Sequence, residues 1–356
     1  MRATHDGFSV VEVVVTMAAA LGLLAMVLVG LSGMVSFSRV QPAAVDIVQR
    51  ARVALDLVAA DLMHAGAGAE VGPAAGALSC CLPAVEPRRL GAQRPDPAGV
   101  ARADAVTVVF STAGSLSAAL GADLIGAAPV LTVSPGPACP GGLPLCGLGD
   151  DATVVVLDGK GQHSYYILSA PAGGPAWLTP RQAGEGYPYL AGAAVVPVES
   201  HTYYFDAAQR QLRHYDGRAT DVPIVDNVVQ VSVTYHGDPA PPRRPAPLAG
   251  TTNCLYDASG QLWPSLVHLP ASGSLIDLPL SMFADGPWCG SGPTRFDADL
   301  LRIRRVRMHV RLQGPADLRG QDAQFAAAGT SQSATRLVPD MELTVDVAPR
   351  NLNGGR

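Results

Sequence analysis

Between Phe8 and Ser38 the sequence carries one ionisable residue, Glu12. A helix over those 31 residues reaches roughly 46 Å, against roughly 30 Å of bilayer hydrocarbon. In lipid the backbone must satisfy its own hydrogen bonds, so this run can only be helical. The modest helix propensity of Val10, Val11, Val13, Val14 and Val15 in water does not change that. Glu12 is the anomaly. A carboxylate near mid-membrane costs roughly 2.5–3.5 kcal/mol, and less toward the interface. Such a residue calls for a partner. Gly22, Gly30 and Gly33 lie in the same run, where they permit close helix approach or simply local flexibility.

Pro42 predicts a kink or a restart. Beyond it Val45, Val48, Leu55, Val58 and Leu62 recur at spacings of three, seven, three and four. That is an amphipathic helix with one face to bury, stopped by the glycines of HAGAG at 64–68. Residues 66–102 read as an irregular Gly/Pro/Ala loop. Short apolar runs with strand character follow at Ala105–Ser111, Val130–Ser134, Thr153–Leu157, Ser164–Ser169, Ala194–Val198, Thr202–Asp206, Gln211–Tyr215 and Val228–His236. A Pro/Gly-rich excursion occupies 237–299, and two late strands are expected at Leu300–Gln313 and Met341–Val347.

The predicted organisation is a leader at 1–7, an apolar helix at 8–38, its amphipathic continuation at 39–65 and the loop at 66–102. A β-rich head at 103–349 and a tail at 350–356 complete it. The fold class is α+β, one long N-terminal helix on an antiparallel β-rich domain.

Composition narrows the function. The chain has 356 residues, a net charge of −5 and only 15% charged residues, so no basic field invites nucleic acid. Lys160 is the sole lysine among 25 basic residues, a bias that discounts arginine clusters as functional signals. Cys80, Cys81, Cys139, Cys146, Cys254 and Cys289 all lie on one side of the apolar run. An even count without metal-type spacing fits disulfides in an oxidising compartment. Cys139 and Cys146 can close PGGLPL, and Cys254 and Cys289 can staple the excursion. Cys80 and Cys81 can pair with each other or elsewhere. An ordinary secretory signal is excluded, since its apolar core runs 7–15 residues.

The motif G-FSVVE, followed by some 25 apolar residues, resembles the class III signal of type IV pilins and type II secretion pseudopilins. RVALDLVAADLMHAGAG, YYFD…QLRHYDG, DNVVQVSVTY and Pro349-Arg350-Asn351 resemble, in order, segments of minor pilins of the PilW type and pseudopilins of the GspJ type. The resemblance covers the first 68 residues well and the remainder in patches. It implies a pilin-like fold, cleavage between Gly7 and Phe8 by a prepilin peptidase, and N-methylation of Phe8. It also implies an assembly role for Glu12, whose carboxylate would neutralise the Phe8 amine of its own chain or of a neighbour. Thr16, four residues on, lies on the same helix face and can hydrogen-bond Glu12. The implied setting is a single-pass inner-membrane protein with a periplasmic head, later moving into a pilus or pseudopilus, at its tip. The implied partners are other minor pilins or pseudopilins, the major pilin, the inner-membrane assembly platform and, before assembly, membrane lipid. A pilus-borne adhesin, a DNA-uptake subunit and a membrane-anchored periplasmic enzyme are the competing readings.

Other candidates are weaker. Arg302, Arg304, Arg305, Arg307 and Arg311 interleave LRIRRVRMHVRLQ, with a register break at Arg304-Arg305 that predicts a bulge. They could meet an acidic partner or DNA, but a solvated sheet face or edge explains them better. Asp150-Asp151, Asp158 and Asp297-Ala-Asp299 lack the spacing of an EF-hand loop and read as turn residues rather than a calcium site. The eight histidines show no i, i+4 pairing, so neither a metal nor a cofactor is expected. No nucleophile elbow, P-loop, dinucleotide fingerprint or HExxH motif is present, which leaves a catalytic role without support. Trp263 and Trp288 are expected to pack a small subcore stapled by Cys254 and Cys289.

Overall fold

A computed structural model describes residues 9–68, 78, 81–111, 118–126, 129–134, 143–172, 174–270, 273–314 and 340–353. Helix α1 runs without a break over Val10–His64, 55 residues, passing straight through Pro42. Pro42 therefore does not restart the helix. It is exposed, so its missing amide and its ring burden only the solvent side. From Ser9 to Leu31 every residue is exposed. The buried stripe comprises Ile47, Ala51, Ala54, Leu55, Val58, Leu62 and Ala65. It opens at Ile47 rather than Val45, which is exposed, because the small Ala51 and Ala54 share the buried face and let the helix lie close to the sheet.

The strands in chain order are β1 (Val85–Glu86), β2 (Ala105–Phe110), β3 (Ala118–Leu120), β4 (Val130–Leu131), β5 (Val133–Ser134), β6 (Thr153–Leu157), β7 (His163–Ser169), β8 (Ala176–Pro180) and β9 (Ala194–Pro197). They continue as β10 (Glu199–Asp206), β11 (Gln211–Tyr215), β12 (Asp221–Asp226), β13 (Val228–Gly237), β14 (Ile276–Leu278), β15 (Trp288–Cys289), β16 (Phe296–Asp297), β17 (Ile303–Leu312) and β18 (Met341–Val347). A short helix, α2, closes the chain at Arg350–Asn353. All named pairings are antiparallel. The architecture is thus α+β, an N-terminal apolar helix on a large antiparallel β domain.

Three layers stack on one another. The stripe of α1 packs on the sheet β1-β2-β10-β11-β12 and on β14-β13-β17-β18 through one shared core that includes Val106, Val108, Tyr203, Leu212, Val225, Val306 and Val310. On the other face of β2, Val109 meets Val155, Leu157, Tyr165 and Val196 of the third sheet. Strand β2 is therefore covered on both faces, which is why AVTVVF is buried throughout and does not alternate.

The third sheet has the order β4-β8-β7-β6-β9-β3-β5. Its two edge strands are neighbours in sequence, with only Thr132 between them. The sheet must therefore curl until its edges meet. Leu120, Val154, Val156, Tyr166, Leu168, Leu178 and Val195 fill the interior, with Leu124, Cys146 and Tyr189 in the same cluster. The expected single strand Val130–Ser134 is in fact these two edges.

Three further expectations are corrected. Residues 81–91 are irregular as expected except at Val85–Glu86, which form a strand. The whole segment runs through the interior, buried at every position, and Val85–Glu86 pair with β2. Its carbonyls and amides find partners in the head, as in Val109 N–H to Ala84 O and Arg102 N–H to Pro87 O. The arginine strand β17 is no edge, because it lies between β13 and β18. It starts at Ile303, after a 3₁₀ turn at Ala298–Arg302. Its bulge falls at Arg304, since His236 faces Arg305 and the next residue, Gly237, faces Ile303. Finally, the excursion builds no separate subcore. Leu255, Leu266, Phe283, Cys289 and Phe296 join the core beneath α1.

Candidate functional site

The N-terminal site is a bare helix end. Ser9 is the N-cap, and its hydroxyl accepts from the Val11 amide at 3.3 Å. The Glu12 carboxylate reaches back to accept from the Ser9 amide at 3.2 Å, completing a capping box. An acid in the first turn also faces the positive end of the helix dipole. Thr16 does not bond the Glu12 carboxylate. Its hydroxyl donates to the backbone oxygens of Glu12 (2.8 Å) and Val13 (3.0 Å), the local bond that a threonine inside a helix makes when no other acceptor is near. Gly7 and Phe8 lie outside the described residues. The stretch Val10–Leu31 is long and apolar enough to cross a membrane, and none of it is buried against the head.

The other end of α1 holds a polar joint. Asp61, in the last turns of the helix, faces the sheet among apolar neighbours. Its Oδ2 accepts from the Tyr203 hydroxyl at 2.5 Å and lies 2.6 Å from His201 Nδ1. His201 and Tyr203 are two apart on β10, hence on one face, and His214 of β11 pairs with Tyr203. The His201 and His214 rings meet edge to face with centroids 4.7 Å apart. Burial alone would raise the Asp61 pKa, but the bonds from His201 and Tyr203 outweigh it and hold the carboxyl below its ordinary value. Burial alone would lower His201, but Asp61 outweighs it and holds the imidazole above its ordinary value. His214, desolvated and next to His201, is pushed down. Spacing along the chain gave no hint of this cluster, because its members come from three elements.

A second polar centre lies between the first and third sheets. Glu86 is fully buried, 2.6 Å from Arg88 Nε. Nearby, the Arg181 guanidinium stacks at 4.0 Å over the Tyr165 ring. Glu185 accepts from the Tyr165 amide at 3.1 Å, and burial pushes its pKa up to about 7. His163 is buried with both ring nitrogens unpartnered among the described residues, and burial takes its pKa down to about 3.

The remaining candidates resolve as structural. Asp297 accepts from the amides of Asp285, Gly286 and Asp299, while Asp299 pairs with Arg302. These carboxylates cap a turn. Asp150 accepts from the Ala170 amide, Asp151 pairs with Arg218 and Asp158 caps its own turn. On β17, Arg305 and Arg307 share Asp346, Arg311 holds Asp340 and Arg304 faces Asp238. The basic stripe is thus neutralised from within. Cys254 and Cys289 form a disulfide across a sequence separation of 35. Cys81 and Cys146 each also take part in a disulfide, and Cys80 and Cys139 lie outside the described residues. Trp288 stacks against Arg295 at 4.6 Å, and Trp263 donates to the Asn253 carbonyl.

Comparison with protein-family models, with curated proteins and with solved structures finds no match to this chain.

Proposed function

We propose that the chain is a structural subunit of a type IV pilin-like filament, a minor pilin or pseudopilin whose head is displayed by a helix that changes surroundings on assembly. One observation carries the reading. A single continuous helix is bare on every described face over its first turns and buried along one stripe over its last. A helix meant only to anchor has no need of rigid continuity into the head. A helix that must leave the bilayer and enter a bundle of its own kind does.

The capping box adds chemical support. Cleavage between Gly7 and Phe8 would place a new α-amine one residue before Ser9, whose amide already touches the Glu12 carboxylate. In an apolar bundle a carboxylate and an amine at that distance neutralise each other, or neutralise the matching groups of an adjacent subunit. The size of the head favours a tip position over repetition along a shaft, in a pilus or in a type II secretion pseudopilus. The internally paired arginines of β17 weigh against DNA uptake through that strand.

Mass spectrometry of the mature protein tests the processing step. An N-terminus at methylated Phe8 is expected, and an intact Met1 would sink the reading. In the assembling strain, Glu12→Ala is expected to insert and be cleaved normally yet to enter filaments poorly. Wild-type incorporation of that variant would remove the pairing argument.

A further inference from the structure

Asp61, His201 and His214 each present a ligand-type atom, and the three atoms lie within 4.8 Å of one another. We propose that these three side chains form a binding site for a borderline divalent transition metal, Zn²⁺ being the probe of choice, which ties α1 to β10 and β11. Two imidazoles and one carboxylate suit zinc, whereas calcium and magnesium require shells of oxygen. Zinc bonds of about 2.0–2.1 Å place neighbouring ligand atoms roughly 3.3 Å apart in a tetrahedron. The observed cluster therefore needs its ligand atoms to close in by up to about 1.5 Å.

Three independent features support the assignment. The first is a supporting shell around the ligands. His201 turns Nδ1 to Asp61 while its Nε2 lies 3.6 Å from the Glu199 carboxylate. A carboxylate behind an imidazole fixes the ring and raises its basicity toward a metal. Tyr203 fixes the orientation of Asp61 by donating to Oδ2. The second is His214, whose Nε2 is buried without a hydrogen-bond partner among the described residues, so that its lone pair is available to an ion. The third is access. A cavity of about 360 Å³ that His201 lines together with Thr153, Glu199, Ser200, Asp216 and Arg218 reaches the His201 side of the cluster. On binding, the metal replaces the proton held between Asp61 and His201, and that proton leaves to solvent.

The test uses the full chain in detergent, stripped with a chelator and titrated calorimetrically with Zn²⁺, with Mg²⁺ and Ca²⁺ as comparisons. One Zn²⁺ per chain is expected, with micromolar or tighter affinity and a raised melting temperature. Neither comparison ion should bind there. His214→Gln should weaken Zn²⁺ at least tenfold, and Glu199→Gln should weaken it by about tenfold through His201. Co²⁺ bound to the unaltered chain should give the intense visible bands of a tetrahedral site, a readout that needs no variant. No saturable uptake by the unaltered chain would overturn the proposal. So would equal Zn²⁺ affinity in the His214→Gln chain, which would place the ion elsewhere.

Discussion

Glu185 shows what a single buried acid contributes to the head. Its carboxyl is shielded from water and titrates near 7 in the folded chain, against a reference of 4.5. The folded state therefore holds the proton more tightly than the unfolded state does. Stability from this group is fully present below pH 4.5 and falls as the pH rises toward 7. By pH 7 the loss is about 3 kcal/mol, with the attraction of Arg181 already included in the shift. Glu185→Gln keeps an acceptor for the Tyr165 amide and removes the ionisation. Thermal melts from pH 5 to 8 should show a shallower decline for that variant, and parallel curves would refute the assignment. Glu86 and Asp297 are raised as well, so the informative quantity is the difference between the two proteins. None of this was legible in the sequence. Glu185 sits in a run, GEGYP, that reads as solvated turn, and its burial follows from contacts between segments distant in sequence, such as Gly184 against Gly292 and Pro293. Glu12 is the opposite case, since a lone acid in an apolar run announces itself without a structure.

At the scale of elements, the helices and regular strands were readable where one face decides their pattern. Leu55, Val58 and Leu62 are buried as their spacing predicts. Strands Thr153–Leu157, Gln211–Tyr215 and Met341–Val347 begin and end where their apolar runs do. The short strands were not readable. Ala118–Leu120 and Val85–Glu86 carry two or three residues each, too few to show a period, and Asp221–Asp226 holds a proline that argues against a strand. It is an edge strand, where the missing amide is tolerated. The helix stop was clear from Gly66, which adopts φ +72° and leaves room for α2. A Cβ there would stand 3.0 Å from Leu352. Leu62 is fully buried between helix and sheet, so Leu62→Ala should cost about 3 kcal/mol. Denaturant titration of the chain in detergent checks this, and a change under 1 kcal/mol would mean that α1 is not seated as described.

For the whole molecule, the division of labour along α1 makes a sharp prediction. Nothing from Ser9 to Leu31 touches the head, and the first buried helix residue after Pro42 is Ile47. A chain cut after Pro42 should therefore be soluble without detergent and melt at the temperature of the full chain. A lower melting temperature would mean that the apolar half supports the head after all. The layered arrangement itself was only half foreseen. An α+β chain with a long N-terminal helix follows from periodicity, but the closure of the third sheet does not. That closure depends on Thr132 joining opposite edges, and no local pattern records which strands will be neighbours.

The tail, too, acquires meaning at this scale. The Asn351 side-chain amide donates to the His64 and Ala65 carbonyls, and Asn353 donates to Arg304 O. The last residues of the chain thus satisfy the last carbonyls of α1. The segment Arg350–Asn353 holds down the last turn of the helix that begins at Val10. The mechanical consequence is that a pull on the apolar half runs along the helix axis and loads the seat from Ile47 to Ala65 in shear. Over roughly 27 Å every contact of the stripe, and the clamp beyond it, bears that force together. A pull across the axis would part the same contacts one turn at a time. A head mounted this way withstands tension along its stalk far better than leverage from the side.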